Sequence, residues 1–237
     1  MSINNLFGEP FLIEGIGNVY PIRLINWEQF ENVVPVILQS EKHFETNGDY
    51  PLLDILIRGI SDEAIVISLE IIFRLALRND DVKFVVYDGN QYKFQIDEEH
   101  SITVENFPLI RNVIMQQNIL FEPKIYKNKE IQKWAEKVLA ARGKNAPNIT
   151  MEEMLSTVSV FTGKHYWDLK DYTIYQLRSD FNRICKIEEF RTQSMVLANP
   201  YADLSKFKME HFAEKIDMYK NPYDDVFKDK NSFKKIL

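Results

Sequence analysis

The sequence predicts an α+β fold that is mostly α-helical, with N-terminal β-hairpin elements and a helical, bundle-like C-terminal half. Three observations carry this. Apolar residues recur at helical spacing between capping residues along most of the chain. Two stretches place β-forming runs on either side of turn residues. Glycine is scarce, at 8 of 237 residues, which disfavours a turn-dense all-β fold.

Residues 11–24, "FLIEGIGNVYPIRL", read as a hairpin around a glycine-containing turn, with Pro21 placing the second run at a sheet edge. Asn26 can then cap a helix, with Gln29 completing a capping box. That helix, residues 27–44, presents Phe30, Val33, Val34, Ile37 and Leu38 to a core, and Pro35 should kink or split it. Residues 46–61 open with turn chemistry and continue as a short helix ending near Gly59. Ser61 is placed to cap the next helix, with Asp62 and Glu63 in its first turn. In "EAIVISLEIIFRLALR" the charges Glu70, Arg74 and Arg78 recur every four residues, and beyond the first-turn Glu63 the rest is apolar or small. A helix with one narrow polar stripe is buried on most sides, so this is the expected central helix.

Residues 82–97 are a second hairpin, turning at Asp88-Gly89-Asn90. Residues 104–118 follow as a helix carrying Phe107, Ile110, Val113 and Ile114, with Pro108 in its first turn. Asn128 caps a helix with Ile131, Trp134, Ala135 and Val138 on one face, which Gly143 should end. "GKNAPNI" then reads as a linker. It divides an α+β N-terminal domain (1–144), with two hairpins and a buried central helix, from a helical C-terminal region (150–237) with a partly mobile tail. Thr150 and Glu153 form a capping box for the first C-terminal helix.

The stretch 163–184, "GKHYWDLKDYTIYQLRSDFNRI", concentrates aromatics, aspartates and a histidine. Packing accounts for most of it. Asp168 is a good N-cap, and Trp167 with Tyr172 can form a hydrophobic staple. Ile174, Leu177, Phe181 and Ile184 make one buried stripe with Cys185 beside it. Arg178, Asp180, Asn182 and Arg183 fall on the other side. Residues 186–200 extend the same helix until "NPYADL" breaks it, and the sparse apolar anchors beyond suggest a surface helix and a tail.

Composition narrows the function classes. The net charge is −6, and residues 1–60 hold three basic against eight acidic side chains. That balance disfavours nucleic-acid binding, which needs a basic footprint. A single cysteine, Cys185, allows no intramolecular disulfide and no cysteine-based zinc site, so a reducing compartment fits. The N-terminal residues show no signal-peptide pattern, and the longest apolar stretch is too short to span a bilayer. A soluble cytosolic protein is the expectation.

No catalytic or cofactor set is legible. Gly15-Ile16-Gly17 lacks the third glycine of a dinucleotide fingerprint, since Tyr20 stands there. Gly143-Lys144 and Gly163-Lys164 lack the Ser or Thr of a phosphate loop. His43-Phe44-Glu45 has no cysteine pair to complete a deaminase zinc site. Asp88-Gly89-Asn90 begins like a calcium loop, but Lys93 occupies the position that needs glycine. The four histidines show no zinc-protease spacing, and His165 with Asp168 and Asp171 lacks a third strong metal ligand. Asp97, Glu98 and Glu99 before His100 read as a solvated turn. Cys185, on a predicted apolar face, reads as a small core residue. The expectation is a non-enzyme with no cofactor and no metal.

The runs "FPLIRNVIMQQN" (107–118), the helix around Trp134 and "WDLKDYTIYQLRSDFNRI" (167–184) together carry a resemblance. Over residues 102–227 the chain resembles tail-morphogenesis proteins of phages that infect Gram-positive bacteria, of the tail assembly chaperone kind. The shared motifs are packing motifs, not catalytic ones, and residues 1–101 take no part. The resemblance implies a viral protein of the infected bacterial host's cytoplasm. It would bind tail proteins, the tape-measure protein and the tail tube among them, without nucleic acid or membrane, and self-association stays open. A structural subunit of the tail or baseplate is the alternative, and a phage counter-defence binding protein a further one. Aromatic and methionine side chains supply adaptable apolar contact. The residues expected to meet a partner are Trp167, Tyr172, Tyr175, Met195, Tyr219 and Phe227.

Overall fold

The computed structural model describes residues 3–44, 50–60, 62–89, 91–126, 128–145, 149–199, 201 and 209–221, and of residues 142–145 the backbone alone. The fold is α+β and mostly α, with 56% of the described residues helical and small antiparallel sheets. A helical turn, α1 (Ile3–Phe7), leads into a hairpin of β1 (Phe11–Ile13) and β2 (Gly17–Val19). The strands are shorter than the sequence suggests, because Gly15 at φ 76° and Gly17 at φ 102° reverse the chain early. Pro21 therefore follows the second strand instead of lying in it.

Helix α2 (Trp27–Ile37) starts after Asn26, but the capping box with Gln29 does not form. Pro35 lies in its last turn, and the helix stops at Ile37 instead of running to residue 44. Its end is held from outside: Arg111 donates to the carbonyls of Ile37 (2.8 Å) and Gln39 (2.7 Å). The short helix α3 (Leu52–Asp54) continues as a π-helical turn, Ile55–Gly59, burying Leu53 and Leu56.

The central helix is α4 (Glu63–Leu77), with Leu69, Ile72, Phe73 and Ala76 fully buried. Its cap is Asp62, which accepts from the Ala64 N–H at 2.9 Å, where the sequence pointed to Ser61, a residue outside those described. The polar stripe of α4 serves the neighbouring sheet. Glu70 accepts from the Phe84 N–H at 2.5 Å, and Arg74 donates to the Val82 carbonyl at 2.8 Å.

That sheet is β3 (Lys83–Tyr87), β4 (Gln91–Gln95) and β5 (Ser101–Ile102), antiparallel in that order. The first two strands are the expected hairpin, with Asp88 (φ 46°) and Gly89 (φ 80°) turning left-handed. The third is unforeseen. Asp97 makes it possible by accepting from the N–H groups of Glu99 (2.9 Å) and His100 (2.7 Å), which folds the acidic run into a tight turn. Helix α5 (Phe107–Gln117) has Pro108 in its first turn and buries Phe107, Ile110 and Ile114. Phe73 meets Phe94 and Phe107 edge-on, with centroids 5.0 and 6.3 Å apart, so α4, sheet and α5 share one core.

Asn128 caps α6 (Lys129–Asn145), accepting from the Glu130 N–H at 2.8 Å. The helix runs through Gly143, so glycine does not end it here, and residues 146–148 of the expected linker lie outside the described residues.

Helix α7 (Met151–Thr162) opens on the Thr150–Glu153 pair and closes at Gly163 in a left-handed turn, φ 71°. Next come α8 (Tyr166–Leu169) and α9 (Ile174–Leu197). The stripe Ile174, Leu177, Phe181 and Ile184 is buried or partly buried as expected, and Leu177 and Ile184 pack with Val158 and Leu169 into a second core. The start of α9 differs from expectation. Thr173 is its cap, accepting from the Gln176 N–H at 3.2 Å, while Gln176 accepts from the Thr173 N–H at 2.8 Å. Asp168 instead sits within α8, and the Trp167–Tyr172 staple does not form: Trp167 is 75% exposed and Tyr172 packs on the second core. Cys185 lies beside the stripe as expected but is exposed, so it is not the small core residue that the sequence suggests. Residues 209–221 contain no helix where the sequence suggested one.

Candidate polypeptide-docking surface

Helix α9 uses two opposite faces. One carries the stripe that meets α7. The other presents Tyr175, Asn182, Lys186 and Phe190, which the 3.6-residue repeat places together on the far side. Residues 209–221 lie on this second face as a non-helical segment of the same chain.

The contacts between them are of two kinds. Arg183 donates to the main-chain carbonyl of Glu214 at 3.1 Å and to that of Phe212. Lys186 pairs with Glu210 at 2.8 Å, and that bond with a second to Glu189 raises the ammonium's pKa. The rest is aromatic and sulfur packing. Phe190 lies 5.5 Å from the His211 ring and 5.3 Å from Phe212, edge-on to both. Further along, Asn182 reaches the Met218 sulfur, and Tyr175 stands 6.2 Å from Tyr219. Ile119, Tyr175 and Met218 form a small buried cluster beneath.

The far end of the segment is pinned to the N-terminal half. The Tyr219 hydroxyl donates to the Gln116 carbonyl at 3.1 Å and accepts from Asn5 at 2.6 Å. Beside it opens a hollow of ≈ 500 Å³ lined by amide side chains with Phe11 and Val113. Burial pushes up the pKa of Tyr175. It does the same to Tyr219, helped by the neighbouring Tyr175.

Two of the sequence-predicted residues, Tyr175 and Tyr219, are thus brought together, with Tyr175 only 6% exposed. The others are apart. Tyr172 is half-buried, its hydroxyl bonded by the Lys164 ammonium. Trp167 stands in solvent under Lys170, whose nitrogen is 4.9 Å from the ring, and Val160, Phe161 and Tyr166 are exposed too. Met195 is exposed roughly 30 Å along α9 from its start. Phe227 lies outside the described residues.

Sequence reasoning missed Arg183, Lys186, Phe190, His211 and Phe212. The available signal was Phe190 alone among charged residues on an otherwise polar face. What this face can do chemically is hold a peptide. Arginine donating to backbone carbonyls reads main chain, not side-chain identity, and aromatic edges accept varied apolar partners. Among the described residues no three His, Cys, Asp or Glu side chains are grouped to hold a metal. His165 and Asp168 meet as a helix cap, the His165 N–H donating to the Asp168 carboxylate at 3.2 Å and the Asp168 N–H to the His165 carbonyl at 2.9 Å, and Asp171 turns to Arg23 at 3.3 Å. No helix of the described residues is long and apolar enough to cross a membrane.

Comparison with known proteins covers this part of the chain. Residues 143–217 match the family described as "YomV second domain", a stretch that takes in α7, α8, α9 and most of the described segment lying on α9. Over 116 residues the chain is 24% identical to the SPbeta prophage-derived uncharacterized protein YomV of Bacillus subtilis (strain 168). The matched stretch is 48% of this chain and 47% of that protein, so the chain spans about half the length of the curated relative. No solved structure matches. Both matches indicate a phage-derived protein family.

Proposed function

We propose that this protein is a phage tail assembly chaperone, a non-enzyme that binds tail components such as the tape-measure protein during tail morphogenesis. One observation carries the reading: the outer face of α9 already holds a non-helical polypeptide segment through main-chain carbonyls and aromatic contacts. A chaperone needs this kind of recognition, because it must grip a long partner without demanding one sequence. The prophage-derived relative supports the setting. Val160, Phe161, Tyr166 and Trp167 are exposed and available for further apolar contact.

The test is co-expression with the products of the neighbouring genes, followed by pull-down and by protein analysis of mature particles. The reading expects recovery of a long helical tail protein in the pull-down and absence of this chain from purified virions. Its presence in virions at fixed stoichiometry would make it a structural subunit instead. Recovery of no tail protein would contradict both.

A further inference from the structure

Away from the docking face, two adjoining clefts of ≈ 260 and ≈ 290 Å³ lie where residues 21–26, the end of α4 and the start of α9 meet. Arg23 and Arg78 stand in the walls of both, and Arg74 lines the first. We propose that this notch is an oxyanion site that takes a phosphate group between the guanidiniums of Arg23 and Arg78.

The charge is out of keeping with its surroundings. The chain is net −6, and Arg23 is one of only three basic residues among the first 60. The backbone at Arg78 is a second, independent observation. Arg78 closes α4 in the left-handed region, φ 51° and ψ 41°, donating its N–H to Arg74. Side chains other than glycine, asparagine or aspartate rarely adopt this conformation, and Asn79, a type that tolerates it, is the next residue. The strained position is instead given to an arginine, whose guanidinium lies 4.1 Å over the Tyr20 ring.

Among the described residues Arg78 makes no side-chain hydrogen bond and no ion pair, so its donors stay available. Burial and the nearby Arg23 charge lower its pKa, a like-charge repulsion that a bound anion relieves. Arg23 is fixed by backbone. It bridges Thr173, and the next N–H, that of Leu24, donates to the Tyr172 carbonyl at 2.8 Å. Among the described residues its side chain holds only Asp171, at 3.3 Å with both groups well exposed. Arg74 is committed to Glu70 and to the Val82 carbonyl, so it adds field and not contact. Asp80 and Asp171 are the acids in the walls, and an entering dianion replaces the single Arg23–Asp171 contact. Phosphate suits the notch better than carboxylate, because tetrahedral oxygens can meet two forks arriving from different elements.

The source can be free phosphate or the phosphate of a nucleotide. Titration calorimetry with inorganic phosphate and with AMP, each against chloride at matched ionic strength, separates them. The wild-type chain, Arg23→Gln and Arg78→Gln are compared, each checked for folding by circular dichroism. Saturable phosphate binding, weakened about tenfold or more by each substitution, is the expected result. Tighter binding of AMP than of phosphate identifies a nucleotide site, and equal binding a free-ion site. Absence of saturable binding for both ligands, or affinity unchanged in either variant, overturns the proposal. Should Arg78→Gln fail to fold, the solvent-facing Arg23→Gln decides.

Discussion

Arg111 joins the end of α2, more than seventy residues away, to the stretch that follows α5. It donates to the carbonyls of Ile37 and Gln39 at the frayed end of α2 and pairs with Glu122 at 2.6 Å, from a side chain that is only 12% exposed. Replacing it by methionine keeps much of the volume and leaves those carbonyls unpaired. The expected cost is about 2–3 kcal/mol, read as a lower denaturant midpoint at unchanged slope. Tyr92 makes a second residue-scale prediction. It is 7% exposed and donates to Asp54 at 2.8 Å, and burial first, then that bond, pushes its phenol well above the ordinary value. Tyr175 and Tyr219 are shifted the same way. A raised folded-state pKa stabilises fully below the unfolded phenol value, about 10, and is lost as pH rises through the folded value. A tyrosinate absorbance titration should therefore show these phenols ionising late, with stability falling above about pH 10. If every tyrosine titrates together near its ordinary value, the buried placement of Tyr92 is wrong.

Among the elements, the start of α9 is where two sequence signals competed. Asp168 and Thr173 are both acceptable caps, and Thr173 has its own box partner in Gln176. What decides between them is tertiary: Leu24 and Ile25 donate to the carbonyls of Tyr172 and Lys170 at 2.8 and 2.9 Å, drawing residues 170–173 out of helix. That pairing spans about 150 residues and leaves no trace in local spacing. Thr173→Ala should cost about 1 kcal/mol in thermal or chemical denaturation, and Asp168→Ala clearly less. The reverse ranking would restore the sequence-based assignment. The elements that were legible share a cause. The Val82–Asp97 hairpin, the central helix and the Thr150–Glu153 cap each rest on residues a few positions apart. The end of α2 rests on a distant partner that local periodicity does not contain, and β5 on the turn closed by Asp97, an acidic run that reads as solvated in sequence.

For the molecule as a whole, the mostly helical class followed from periodicity, while the second face of α9 did not. Asn182, Arg183 and Lys186 look like a solvated surface in sequence, since their partners are backbone and side chains some thirty residues downstream. Tyr175 and Tyr219 were picked out as aromatics, and only the fold shows that they cover one another. The central claim is that this face is a seat for polypeptide. Hydrogen–deuterium exchange on the full chain, with and without the proposed tail-protein partner, tests it most directly. The prediction is a change in protection concentrated in residues 175–190 and 209–221 when the partner binds. Protection confined to α2, α4 and the three-stranded sheet, with those two stretches unaltered, would contradict it.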